Sequence, residues 1–225
     1  MDTTSRRAAT AGVALLLAAL LAGCATGSRY TLEEGVHRLL MLSSQRAFSR
    51  LTEPGGFYDD QLTRIQVPDL AGDRTGAVIS AVLRTSAVRD RMAWALDGVA
   101  VTMANRAAPI VLDAVRTMSV ADAISVMRGG PTAATDLLER QTQGAIMQAI
   151  LPGTTNSLRG DAFEILFAAL SAASGRDYAA MADNVSGQIT HSIFRAIGRE
   201  EADIRRDPRG TRDPVLIALL GAGGR

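Results

Sequence analysis

A chain of 225 residues suits one ordinary domain or two small ones, and its 47% apolar content is that of a protein with a real core. Aromatics make up 4% of the residues, so that core has to be built from Ala, Leu, Val, Ile and Met, a set that leans towards helix. All 24 basic residues are arginine, against 23 acids. This excludes Schiff-base, Ser–Lys and P-loop chemistry, each of which needs a lysine, and leaves no basic excess of the kind a nucleic-acid binder shows.

The N-terminus reads as a three-part export signal. Arg6 and Arg7 precede an apolar run over residues 8–22, broken by Thr10 and Gly12, and the small residues Ala22 and Gly23 precede the single cysteine, Cys24. The run is shorter than the roughly 20 residues a permanent transmembrane helix needs. "LAGC", residues 21–24, resembles the bacterial lipobox, whose cysteine sulfur receives a diacylglyceryl group before cleavage, here between Gly23 and Cys24. Two or more acyl chains anchor a protein durably. Ala25 follows the lipid site. By resemblance to the sorting rule of Gram-negative lipoproteins, a residue other than Asp there directs the protein to the outer membrane, on its periplasmic face. The expected partners are therefore the membrane itself and the lipoprotein export and sorting machinery. With one cysteine no intramolecular disulfide can form, so the domain must be held by packing. The expected organisation is a signal peptide over 1–23, a lipidated tether over 24–30 and a helical domain over 31–225.

In chain order, "TLEE" at 31–34 forms a capping box, with Thr31 capping and Glu34 reaching back. A helix follows to about Leu51, with Val36, Leu39, Leu40, Ala47 and Leu51 on one face. Pro54, Gly55 and Gly56 break it, and residues 52–73 read as an ordered loop in which Pro68 excludes a central strand. Helices are expected over 76–86 and 88–107, the second with Val88, Met92, Ala95, Val99 and Met103 on one face. Pro109 is expected to end or kink it before a further helix at 110–118. Ser119 should cap the next helix, with Asp122 in its first turn and Gly129–Gly130 as its stop. Thr132 should cap a helix over 133–151 that Pro152–Gly153 ends. Helices over 158–173, over 177–206 ending at Asp207–Pro208, and over 213–221 complete one all-α domain of about eight short helices.

Chemistry-bearing patterns are sparse. His37 and His191 lie far apart, with no GxSxG elbow, and each reads as a partly exposed helix residue. There is no HExxH, no second thiol and no calcium loop, so neither a metal nor a cofactor is expected. No Glu is followed by Ser, as it would be in a lytic transglycosylase. "GGFYDD" sets Asp59 and Asp60 beside glycines. The pair could do acid–base work or bind a cation, while the plainer reading is a polar turn plugged by Phe57. "REEADIRRDPRGTRDP", residues 199–214, is the densest charged stretch. Glu201 and Arg205 are spaced to pair on a helix surface, and Arg206, Arg209 and Arg212 could grip an anion or a lipid headgroup. A solvated face explains the same residues.

Four stretches carry a family likeness: "GGFYDDQLTRIQVP" (55–68), "RAAPIVLDAVRTMSVADAISVMRGG" (106–130), "AATDLLERQT" (133–142) and "SIFRAIGREEADIRRDPRGTRD" (192–213). With these, the chain resembles a bacterial family known as domain of unknown function 4197. The resemblance implies an α-helical domain, commonly exported and often lipid-anchored. It implies no activity, so no catalytic residue is carried over, and it marks Phe57, Pro68, Thr135, Glu201, Arg205 and Pro208 for attention. The leading expectation is a non-enzymatic binding or structural module of the envelope, acting on an envelope protein. The alternatives are a carrier of a lipid or other apolar ligand, its cavity walled by Ala, Leu, Val and Met, and an envelope hydrolase using Asp59, Asp60 or Glu201.

Overall fold

Residues 30–61, 63–66, 86–160, 163 and 178–221 are described by a computed structural model. They form α1 (Leu32–Leu51), α2 (Ser86–Thr117), α3 (Ala123–Arg128), α4 (Ala133–Leu158), α5 (Tyr178–Arg206), a 3-10 turn (Pro208–Thr211) and α6 (Pro214–Gly221). Among the described residues there is no strand, and the fold is all-α. The expected leader with Gly23 and Cys24, the helix at 76–86, most of that at 158–173, and Pro68 lie outside the described residues.

Spacing explains the core. In α1 the expected face of Val36, Leu39, Leu40, Ala47 and Leu51 is buried, joined by Ser43, Ser44 and Phe48. Ser43 is tolerated there because its hydroxyl donates to the Leu39 carbonyl one turn back. In α5, Met181, Ala182, Val185, Ile189, Ile193 and Ile197 recur at three- and four-residue intervals and are buried. Burying each large aliphatic side chain contributes about 1.5–3 kcal/mol. α5 packs most extensively on α4 and α1, and α2 packs on the same two helices, so four helices share one core. Residues from Leu32 onward form one compact unit.

Two prolines do not do what the sequence suggests. Pro109 lies inside α2, and Pro152 inside α4, which runs on to Leu158. The expected break between 107 and 110 is therefore absent, and two expected helices are one of 32 residues. Both prolines face solvent, as do Asn105 and Gln148, whose carbonyls lose their i+4 donor. Water can satisfy those carbonyls. Meanwhile Ala104, Ala107, Val111 and Val115 keep the opposite face of α2 buried across Pro109. Packing on both sides of the proline holds the helix together.

The start of α3 also differs. Its cap is Asp122, not Ser119, and the Asp122 carboxylate accepts from the Ser125 N–H at 3.0 Å. Met118 and Val120 are buried in the link before it, so the chain uses residues 118–121 to cover the core before turning helical. Gly129 ends α3 as its position suggests. By length and composition alone, residues 90–117 could cross a bilayer. Leu96, Ala100, Met103, Ala104, Ala107, Val111 and Val115 are nevertheless fully buried against the other helices, which is the pattern of a core helix.

Candidate functional site

The turn after α1 is built around one buried carboxylate. Asp97, on α2 and 3% exposed, accepts from the N–H groups of Gly55, Phe57 and Tyr58 at 2.9, 2.8 and 2.9 Å. Gly55 takes the left-handed conformation, φ +85°, that lets the turn present these donors together. At Gly56 a Cβ would stand 2.4 Å from the Arg50 carbonyl oxygen. Phe57 is fully buried, a plug that seats the turn on the core. Tyr58 meets Trp94 edge-on at 5.4 Å, and the Arg64 guanidinium lies 4.2 Å over the Tyr58 ring while its Nε donates to the Tyr58 carbonyl. Farther on, Gln188 of α5 bonds both the N–H and the carbonyl of Gln66. The loop is thus tied to α2 and α5 along its described length.

Between this turn, the end of α1 and α5 lies a hollow of about 600 Å3. Asp59 and Asp60 both line it. Asp60 forms an ion pair with Arg199, and Arg50 at the end of α1 forms one with Glu200. These pairs join the turn and α1 to α5 and wall the hollow. Glu200 is nearly sealed, with a side chain 5% exposed, whereas Arg50 is 58% exposed. The buried Nη2 of Arg199 has no acceptor among the described residues. The 55–68 loop and the start of the 199–213 stretch therefore meet, through Arg199 and Glu200. Arg50, Asp97, Arg199 and Glu200 were not singled out by sequence reasoning. Asp97 alone left a trace there, as a carboxylate set among Ala93, Leu96 and Ala100 on an otherwise apolar face.

Glu201 and Arg205 do something else. The expectation of an exposed surface pair is corrected: Glu201 is fully buried and the Arg205 side chain is 11% exposed. Glu201 accepts from the Ala134 and Thr135 N–H groups at 3.0 and 2.7 Å and from the Thr135 hydroxyl at 2.6 Å. Thr132 stands at the expected cap position of α4 but makes no side-chain cap bond, and Glu201 of α5 takes over that role from across the interface. Arg205 bonds Glu201 through Nε at 2.8 Å and donates to the carbonyls of Met127 and Val126 at 2.9 and 3.0 Å. One i,i+4 pair on α5 thereby caps the end of α3 and the start of α4 together. Opposite charges at the two helix ends agree with the helix dipole.

Beyond α5, Pro208 opens the 3-10 turn and Asp207 caps it at the Gly210 N–H. Arg206 pairs with Asp203 at 2.8 Å. Arg212 is exposed in the left-handed conformation, φ 57°, and does not line the hollow. His37 is half-buried, its Nε2 3.0 Å from the Met118 carbonyl oxygen. Exposed His191 accepts at Nε2 from Arg195 Nε at 3.0 Å and stands 3.7 Å from Glu139. Both histidines serve helix packing and surface pairing. Among the described residues no group of three or more His, Cys, Asp or Glu side chains is placed to hold a metal ion.

Over residues 26–221 the chain matches the family described as Protein of unknown function (DUF4197), and it belongs to that family. No curated protein and no solved structure matches it.

Proposed function

We propose that this chain is a lipid-anchored binding module of the bacterial envelope, a single helical domain over 31–225 that holds a small polar ligand in the hollow beside Asp60 and Arg199. The carrying observation is that hollow of about 600 Å3, a size typical of small-molecule sites. Of the carboxylates expected of a hydrolase, Glu201 is occupied as a helix cap and Asp60 is held by Arg199, so binding explains the site better than hydrolysis. The charged lining also favours a polar guest over an apolar one.

The anchored half of the reading rests on "LAGC" and the leader before it. Cleavage after Gly23 and acylation of Cys24 put the domain on a tether of a few residues, and Ala25 favours the outer membrane. Intact-mass analysis of protein extracted from bacterial envelopes tests this. The expected mass lacks residues 1–23 and carries acyl chains, and Cys24→Ala loses palmitate labelling and leaves the membrane fraction. An unprocessed chain with a free thiol would overturn the anchor. Native mass spectrometry of the same material tests the binding half, which predicts a retained small molecule that is lost on Arg199→Ala.

A further inference from the structure

Among the described residues three large apolar side chains are exposed: Leu32, Trp94 and Ile124. Trp94 belongs to the turn beside the hollow, whereas Leu32 and Ile124 lie towards the other end of α1. Leu32 opens that helix and Ile124 sits on α3. A Cβ at Gly35, in the first turn of α1, would run into Leu219 of α6 and touch Met127 of α3, so both short helices meet there. α6 is apolar along its whole length, "PVLIALLG", yet only Val215 and Leu216 are buried. Ile217, Leu219 and Leu220 are half-buried and Ala218 is exposed. A helix that is apolar all round is ordinarily enclosed on every side. The start of α1, α3 and α6 thus present an apolar face that the described residues do not cover.

The lipid site decides what meets this face. With Cys24 acylated, the seven residues 24–30 are the whole tether between the acyl chains and the domain. Fully extended, such a tether reaches at most ~25 Å, and it enters the domain at α1, beside Leu32. α1 has 20 residues and is therefore ~30 Å long, with the hollow at its far end. The apolar face is the part of the domain that the anchor holds at the bilayer. The exposed charges around it are mixed, Glu33 and Asp122 against Arg128 and Arg212. They give no excess of arginine to draw it to anionic lipid, so the attraction rests on apolar side chains entering the boundary between headgroups and acyl chains.

We infer that the face formed by the first turn of α1, α3 and α6 docks on a zwitterionic phospholipid surface, with Ile124 and the open side of α6 in the headgroup boundary. This rests on the reading of the chain as lipid-anchored and is independent of what the hollow binds.

Acylation occupies the single native cysteine, so an introduced one is the only free thiol. Ile124→Cys and Ala218→Cys each replace an exposed side chain. Gly98→Cys is the control: Gly98 neighbours the Asp97 that holds the turn, and a Cβ there meets nothing within 4 Å. Each acylated chain, extracted from envelopes in neutral detergent, is labelled with the fluorophore NBD and reconstituted into phosphatidylcholine vesicles containing nitroxide-labelled phosphatidylcholine. The labels at 124 and 218 are expected to lose most of their emission to the nitroxide, in low and high salt alike, while the label at 98 keeps its emission. Equal quenching at all three positions, or none at 124 or 218, in chains that float with the vesicles overturns the docking and leaves the anchor standing. Quenching that disappears in high salt overturns it too, since an apolar contact is not screened. A chain that does not float overturns the anchor and the docking together.

Discussion

Glu201 shows how much one buried side chain can organise. Its carboxylate takes three hydrogen bonds from the first turn of α4 and one from Arg205. Glu201→Ala leaves those donors without an acceptor and a largely buried guanidinium without its counter-charge, so it is expected to cost about 3–5 kcal/mol. Glu201→Gln keeps an acceptor oxygen but loses the charge, and about 1–3 kcal/mol is expected. Urea denaturation midpoints separate the two. Asp213 adds a pH dependence of definite sign. Its Oδ1 caps α6 at the Val215 and Leu216 N–H groups, and its Oδ2 meets Arg38 at 3.1 Å. Burial pushes its pKa up, but the Leu216 N–H, the Arg38 guanidinium and the Val215 N–H together outweigh that and hold it below the usual carboxylate value. With the folded pKa below an unfolded value of about 3.9, the unfolded chain takes up the proton first as pH falls. The stabilisation is complete above that unfolded value and is lost as pH drops through the lowered folded one. The stability gap between wild type and Asp213→Asn, followed by urea titration from about pH 6 to about pH 3, is expected to narrow at the acid end.

At the scale of elements, the prolines are informative because they break a local rule without breaking the helix. A proline in a helix interior costs about 3 kcal/mol relative to alanine, while its rigidity in the unfolded chain returns about 0.4–1 kcal/mol. Pro109→Ala therefore restores a donor for the Asn105 carbonyl and is expected to stabilise the chain by about 1–2 kcal/mol. A rise in the denaturation midpoint, with protection from exchange at the new amide of residue 109, checks this. The α3–α4 corner carries the complementary lesson. Thr132 has the right residue type at the right place, yet its side chain makes no cap bond to α4, because a carboxylate from α5 reaches the same N–H groups with full charge. Capping here is a tertiary contact, and it locks the angle between α3 and α4 to the position of α5.

For the whole molecule, one contact from α2 shapes the hollow. Asp97 collects the N–H groups of the turn that forms one wall, and α5 forms the other through Arg199 and Glu200. Asp97→Ala is expected to loosen that turn and destabilise the chain by about 2–4 kcal/mol, since up to three buried donors lose their acceptor. Trp94, the single tryptophan, packs against Tyr58 of the same turn and is exposed on its other side, so its fluorescence emission is expected to shift in that variant. Taken by itself, the sequence determined the helical class, the buried face of α1, the loop after Leu51, the stops at Gly129 and Pro208, and the family, because periodicity, capping residues and breakers act over a few residues and leave their mark in order along the chain. The fusion of two helices across Pro109, the burial of Glu201 and Arg205, and the pairing of Asp60 with Arg199 and of Arg50 with Glu200 were decided by tertiary structure alone. Each depends on which distant surface a residue meets: an i,i+4 ion pair reads the same on a solvated face as on a buried one, and contacts across 139 residues have no local signature.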